Sequence, residues 1–378
     1  MPRHSVTTVA ALLLLGLAAK AVAGTFGAEP IAVSSSPGGA NGPSGAAAIS
    51  GDNRVARFVA FHSFASNLVG RDTNGALDVF LYNRVTKKTS RVSVAGNGRQ
   101  ANGASGNPAI DGSVQRVPRC VAFQSQATNL APGDRDDKWD VYVRDLRARK
   151  TRLLSRGLAS SAVDPAISGD CRRVAFTSAG RVYVANGLSG GKPRFVARGT
   201  NPDLSLDGSA IAWERGHGVW LERRGRTSRV AAVGGNPHVS DAGSSRVWAV
   251  VYDGASDVFM KVFHGSGGAF KTKLISGRNG RSLGGTSHNG GITAYAHPRG
   301  IVIFANTHGS DTTLWYMNLH TGNIDDLAHA HSSDGSAAIL DVATSARANY
   351  AVFSSTDSFR GDTNGRTQDV FLKFLGGK

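Results

Sequence analysis

The chain has 378 residues, with 43 Lys or Arg against 27 Asp or Glu and a net charge of +16. Two cysteines are too few for a disulfide-dense miniature, and 40% hydrophobic residues are too many for a disordered chain. No apolar run reaches the roughly 20 residues that a membrane-spanning helix needs, which argues against a helical membrane protein, with a retained N-terminal anchor as the alternative.

Arg3 and His4 precede an uninterrupted apolar run over residues 10–19, and Ala21-Val22-Ala23 has the small-x-small form of a signal cleavage site. Residues 1–23 are therefore expected to be removed as a signal peptide. Residues 24–378 are then one exported domain, periplasmic or extracellular, with no transmembrane segment. Losing Arg3 and Lys20 and no acid takes the net charge from +16 to +14. That excess favours an anionic partner, such as an acidic envelope protein or an anionic polysaccharide, and export argues against nucleic acid. A basic surface without a ligand is the alternative.

From residue 59 onward one pattern recurs: an apolar strand ending in an aromatic, a loop, then a strand of Asp-Val-aromatic type. It reads Val59-Ala60-Phe61 with Asp78-Val79-Phe80, Val121-Ala122-Phe123 with Asp140-Val141-Tyr142, and Val174-Ala175-Phe176 with Arg181-Val182-Tyr183. Looser copies are Ile211-Ala212-Trp213 with Val219-Trp220, Val250-Val251-Tyr252 with Asp257-Val258-Phe259, and Val302-Ile303-Phe304 with Leu314-Trp315. Ala351-Val352-Phe353 with Asp369-Val370-Phe371 is the last. Units this small cannot bury their own apolar faces and must stack on neighbours.

The fourth repeat shows four strand signals, at 201–205, 210–214, 218–222 and 227–231, separated by turn residues such as Leu206-Asp207-Gly208. Helical periodicity is lacking throughout. The expectation is an all-β, seven-bladed β-propeller of four-stranded antiparallel blades, with the aromatics as core between blades. A blurred pattern at 284–295 leaves six and eight as the alternative counts.

Ring closure is legible as well. Pro30-Ile31-Ala32-Val33-Ser34 followed by Gly39-Ala40-Asn41-Gly42 echoes Arg91-Val92-Ser93-Val94 followed by Gln100-Ala101-Asn102-Gly103. The first strand is thus an outermost strand without a blade, and the last repeat stops after its third strand, near Lys373. The N-terminal strand should complete the C-terminal blade and so hide two sheet edges. Cys120 and Cys171 lie in adjacent repeats, where an oxidising compartment favours a disulfide, with two buried thiols as the alternative.

The turn Pro202-Asp203-Leu204-Ser205-Leu206-Asp207-Gly208 and its looser copy Pro165-Ala166-Ile167-Ser168-Gly169-Asp170, each leading into an apolar-Ala-aromatic strand, resemble the TolB-like (WD-like) propeller repeat over residues 30–375. The resemblance implies the propeller fold. TolB itself is periplasmic and contacts a peptidoglycan-associated lipoprotein and an inner-membrane partner through a propeller and a preceding α/β domain. Here the signal segment leads straight into the repeats, so a stand-alone propeller is expected.

In such a blade the loop into the first strand and the loop joining strands two and three emerge on one face. Long loops there, at 63–77, 95–107, 124–139, 157–164 and 354–368, mark a sector of blades seven, one and two. Three of them share an acidic turn: Asp72, Asn74 and Asp78; Asp134, Asp136 and Asp140; Asp362, Asn364 and Asp369. Their spacing resembles the first half of a calcium loop, although the closing Glu is absent. Calcium is the candidate cofactor, and Asx-turns with strand-capping carboxylates are the alternative. The same loops carry Arg71, Arg99, Arg135, Arg360 and Arg366 with Trp139, suited to carboxylated sugars or an acidic protein patch.

Histidines gather late, at His288, His297, His308, His320, His329 and His331. Oligogalacturonate lyases, propellers of related repeat type, hold metal with histidines in the central funnel, but no matching spacing occurs here. Gly187-Leu188-Ser189-Gly190-Gly191 fits G-x-S-x-G yet lies between strand signals, not at a strand-to-helix elbow. The reading is a monomeric binding or scaffolding propeller of the cell envelope without an assigned catalytic residue. A metal-dependent lyase or hydrolase of acidic glycans is the alternative, and it requires His288, His297, His329 or His331 to meet at the channel. A purely structural envelope protein is a third possibility.

Overall fold

In a computed structural model that describes residues 30–34, 39–52, 56–113, 116–240, 247–264, 272–293, 300–331, 339–360, 362–364 and 367–375, each repeat folds into a four-stranded antiparallel sheet. Blade one is Ser44–Ile49, Phe58–Ser63, Asp78–Asn83 and Lys88–Arg91; blade two is Ser105–Ile110, Cys120–Ser125, Asp140–Asp145 and Lys150–Leu153. Blade three comprises Ala162–Ile167, Val174–Ser178, Arg181–Ala185 and Arg194–Arg198, and blade four Thr200–Leu204, Ala210–Arg215, Gly218–Arg223 and Arg226–Ala231. Gly235–Val239, Val247–Asp253, Val258–His264 and Lys273–Leu274 form blade five; Thr286–Ile292, Ile301–His308, Asp311–Asn318 and Ile324–His331 form blade six. Ile339–Thr344, Tyr350–Ser355, Asp369–Phe374 and the N-terminal Ile31–Ala32 make blade seven.

The described residues thus form seven blades, and the all-β propeller read from the sequence is the observed fold. Innermost strands of neighbouring blades touch all the way round, including blade seven against blade one. One element was not anticipated: a short hairpin of Gly277–Arg278 and Arg281–Ser282 between blades five and six. None of the described residues forms a helix that could cross a membrane. Residues 1–23 lie outside the described residues.

The repeat pattern has a direct structural cause. In all seven blades the second-strand aromatic sits opposite the third-strand aromatic: Phe61 with Phe80, Phe123 with Tyr142, Phe176 with Tyr183, Trp213 with Trp220, Tyr252 with Phe259, Phe304 with Trp315 and Phe353 with Phe371. Five of these pairs stack, with centroids 5.8, 5.9, 6.1, 6.0 and 5.8 Å apart. The rings also reach the next blade. Phe61 and Phe80 of blade one, for example, pack on Val352 and Val370 of blade seven.

The Asp of the Asp-Val-aromatic strand is a clasp. Ser93 Oγ donates to Asp78 Oδ1 at 2.5 Å and accepts from Val79 N at 3.1 Å. Ser155 repeats both bonds with Asp140 and Val141, as does Ser276 with Asp257 and Val258. In blade seven Ser34 donates to Asp369 at 2.7 Å and accepts from Val370 N at 2.8 Å. Because Ile31 pairs with Leu372 and Ala32 with Phe371, this fourth clasp closes the ring. A disulfide between Cys120 and Cys171, with Cα atoms 5.8 Å apart, ties blade two to blade three.

Phe123→Ala should lower the unfolding free energy by about 3–5 kcal/mol in a urea melt, because the ring it removes is fully enclosed. A second test uses Asp111, which accepts from the backbone N–H of Arg119 at 2.7 Å and of Cys120 at 2.8 Å. Burial, with the charge of Asp170 adding to it, pushes its carboxyl up to about 7 against those hydrogen bonds. The folded protein then holds a proton that the unfolded chain releases between about pH 4 and 7, so the contribution to stability falls as pH rises through that window. Urea melts from pH 5 to 8 should show that slope, and Asp111→Asn should flatten it.

Candidate functional site

Each long loop between strands two and three is tied to the loop that leads into the next blade. Thr73 N donates to Gln100 Oε1 at 3.2 Å and Asn74 Nδ2 to the Ala101 carbonyl at 3.0 Å. Arg156 donates to the Pro132 carbonyl at 2.7 Å, and Asn364 Nδ2 to the Ala40 carbonyl at 2.7 Å. Asn102 and Thr128 exchange two further bonds, as do Asn41 and Ser66. The decorated sector of blades seven, one and two is therefore held by polar bonds between loops.

Inside that sector the acidic turn of blade one faces inward, whereas Asp136 and Asp137 of blade two are exposed. Asp72 and Asp78 share the guanidinium of Arg91, with Nη2 3.2 Å from Asp72 and Nε 3.5 Å from Asp78. Gln100 Nε2 donates to both carboxylates, at 2.8 and 3.0 Å, while Asn74 Oδ1 accepts from Ala76 N in an Asx-turn. The charge that calcium was expected to balance in blade one is thus met by Arg91. In blade two the carboxylates of Asp134, Asp136 and Asp140 all lie within 4.8 Å of one another. There the Tyr142 hydroxyl donates to Asp134, Lys138 pairs with Asp136 at 2.8 Å, and Ser155 donates to Asp140. In blade seven, burial first and the charge of Asp362 after it push Asp369 up to about 6, against the hydrogen bonds from Ser34 and Asn364.

The arginines face outward. Arg71, Arg99, Arg135 and Arg360 are exposed, and among the described residues their side chains form no ion pair. Trp139 is half-buried beside them, with its carbonyl accepting from Ala162 N at 2.6 Å. Arg366 lies outside the described residues.

The centre of the ring holds a cavity of about 430 Å³ lined by the innermost strands of all seven blades. Among the described residues its lining includes Asp164, Asp203, Asp341 and His238 but no Lys or Arg. The inner strands bulge at corresponding places, where Ala46, Asn107, Asp164, Asn201, Asn236 and Asp341 take φ between 46° and 55°. Asn and Asp tolerate that region best, and four of the six precede a Pro, which has no N–H to lose from the ladder. The bulge turns a backbone N–H away from its own sheet, and a neighbouring blade accepts it. Asp164 N donates to Gln124 at 3.1 Å, Asn201 N to Thr177 at 3.1 Å, Asn236 N to Glu214 at 2.6 Å and Ala46 N to Asp341 at 2.8 Å.

Three polar groups converge where blade seven meets blade one. A Cβ on Gly45 would lie 2.9 Å from Gln368 Nε2, 3.1 Å from Asp341 Oδ2 and 3.3 Å from His62 Nε2, which is why glycine stands there. Burial pushes the His62 imidazole down, against the pull of Asp341, so it is neutral at neutral pH. Sequence reasoning passed over His62, Asp341 and Gln368. A signal was available: the residue after the second-strand aromatic is His62, Gln124, Thr177, Glu214, Asp253 and Ser354 in six of the repeats, polar each time.

The late histidines do not gather at the channel. His329 and His331 are on the outermost strand of blade six, bonded to Asp326 at 2.8 Å and Asp311 at 2.5 Å. His288, on an inner strand, is exposed and 3.6 Å from Asp253, while His297 lies outside the described residues. Ser189 sits in a turn between the third and fourth strands of blade three, where its hydroxyl donates to the Gly190 carbonyl at 3.3 Å. Gly187 of the same motif is explained by close packing, since a Cβ there would meet the Cys171 carbonyl at 2.3 Å.

No protein-family model matches the chain, and no curated protein matches it. Solved structures share its fold. An oligogalacturonate lyase from Vibrio parahaemolyticus aligns over 94% of this chain and 96% of its own, with a TM-score of 0.55 and 8% identity. An oligogalacturonate lyase in complex with manganese aligns over 94% and 98%, with a TM-score of 0.52 and 11% identity. TolB from Acinetobacter baumannii, also a propeller, aligns over 68% and 60% with a TM-score of 0.40 and 14% identity. At these identities the likeness extends to the fold alone.

Glu214 tests the bonded mouth of the channel, because its Oε1 accepts from Asn201 Nδ2 at 2.9 Å as well as from Asn236 N. Glu214→Ala should cost about 1–3 kcal/mol in chemical denaturation by stranding a backbone donor. Glu214→Gln, which keeps the acceptor oxygen, should lie close to the parent.

Proposed function

We propose that the protein is an exported binding propeller that recognises an anionic partner, an acidic protein face or an anionic glycan, through the arginine-bearing loops of blades seven, one and two. One observation carries this reading: Asp72, Asp78, Asp134, Asp140 and Asp369 of those loops are held by internal partners, while Arg71, Arg99, Arg135 and Arg360 remain exposed and, among the described residues, unpaired. Guanidinium groups present a planar fork that matches carboxylates, and loops fixed on a rigid ring lose little freedom on binding. The leader-like N-terminus and the disulfide both suit an oxidising compartment outside the cytoplasm.

Lyase chemistry on an acidic glycan is the second reading, favoured by the two oligogalacturonate lyases of like fold. Against it, the described residues of the cavity lining offer the carboxylates of Asp164, Asp203 and Asp341 and no Lys or Arg, the wrong sign for a polyanion. Polygalacturonate and polyglutamate serve as probes for both readings. Arg71→Ala with Arg135→Ala should weaken binding of the preferred probe about tenfold and flatten its salt dependence. Unchanged affinity, or no binding of either polyanion, would sink the loop-face reading, and release of unsaturated sugar ends would put the lyase first.

A further inference from the structure

The three acidic turns occupy matching places in their blades but deal with their charge in different ways. In blade one the balancing cation is covalent. Arg91 sits opposite Phe80 on the outermost strand and reaches Asp72 Oδ2 and Asp78 Oδ2. In blade two the residue at that register position is Leu153, opposite Tyr142. The Tyr142 hydroxyl and Lys138 take over two of the carboxylates there.

Blade seven has neither arrangement. Ala32 stands opposite Phe371 where Arg91 stands opposite Phe80, and Phe371 carries no hydroxyl. Gly39 replaces Gln100 in the echoing segment, so the amide that bridges Asp72 and Asp78 is missing too. Asp362 Oδ1 accepts from Asn364 N at 3.0 Å, but Asp362 Oδ2 is shut off from solvent and accepts no hydrogen bond. Its counterpart in blade one, Asp72, holds a guanidinium. Close by, the enclosed Asp369 accepts hydrogen bonds from Ser34 and Asn364. A buried carboxylate oxygen with nothing to balance it is expensive, and among the described residues neither Asp362 nor Asp369 has an ion-pair partner.

We propose that a divalent metal cation, calcium by the all-oxygen chemistry of the site, binds between the carboxylates of Asp362 and Asp369 in the place that Arg91 fills in blade one. This goes beyond recognition by the loop face, because the ion acts on the ring itself. Asp369 also holds Ser34, and Asn364 holds the Ala40 carbonyl, so the cation pins the same turn that fastens the N-terminal strand to the last blade. Hard cations with carboxylate and water ligands suit such a place, and the closing Glu of an EF-hand loop is not required for a site of modest affinity.

The test is a calcium titration of the EDTA-stripped protein, read by calorimetry and by thermal melting. One calcium per chain should bind and raise Tm by about 3–6 °C at saturation. Asp362→Asn should weaken calcium affinity at least about tenfold, and Asp136→Asn in blade two should leave it unchanged. Ala32→Arg, which restores the arrangement of blade one, should raise Tm in EDTA and abolish the response to calcium. If that variant does not fold, the Asp362 and Asp136 pair still decides. The proposal is overturned by an unresponsive parent protein, by a response that survives Asp362→Asn, or by one lost in Asp136→Asn.

Discussion

Each blade buries an aromatic pair between its second and third strands, and because the rings fill the widening gap to the next blade, their packing sets the spacing of neighbours. Everything nearer the axis follows from that spacing. The inner strands are brought close enough to touch, yet side by side they cannot form a ladder with one another. In blades one, three, four and five a bulge solves the resulting problem by turning one N–H toward a polar side chain of the adjacent blade. Apolar wedges thus hold the ring on the outside and a circle of polar bonds holds it at the centre.

Charge is sorted along the same radial line. Among the described residues the channel is lined by Asp164, Asp203 and Asp341 and by no Lys or Arg. In the long loops Asp72 and Asp78 are likewise turned inward onto Arg91, and Asp140 and Asp369 onto serine hydroxyls. What reaches solvent on the decorated sector is therefore more basic than the composition of its loops suggests. An approaching polyanion meets arginines at the rim, and a cation that passes them meets carboxylates within.

Much of this was legible in the sequence because the strands are short, the aromatics recur, and one echo, Val33-Ser34 against Val92-Ser93, betrays the closure. The candidate site was harder to read. Asp-x-Asn-Gly serves equally as a cation loop or as a turn that caps its own backbone, and the choice in blade one rests on Arg91, which comes from a different strand by β-register. The clasp on Asp78 was hidden for the same reason, since its serine lies 15 residues on, past the end of the fourth strand. His329 and His331 lie two apart on one strand, but on the outermost strand, which spacing alone does not distinguish from the innermost. His62 stood in plain sight at a position that is polar in most repeats, and only the contact with the next blade gives that position meaning.

The bond from Ser34 to Asp369 spans 335 residues of chain. Translation delivers the Ile31–Ala32 strand ahead of all seven repeats and its partner only with the seventh, so while the intervening blades are made that strand has no sheet to join. Six blades can form from contiguous segments, each from strands near in sequence, at the rates typical of local hairpins. The seventh waits for both ends. Folding is thereby divided into a series of local steps and one terminal step of very high contact order, during which the edges of blade seven stay unpaired. Any factor that shields those edges, or holds the first strand in place until the last arrives, would govern how much of the newly made protein becomes a closed ring.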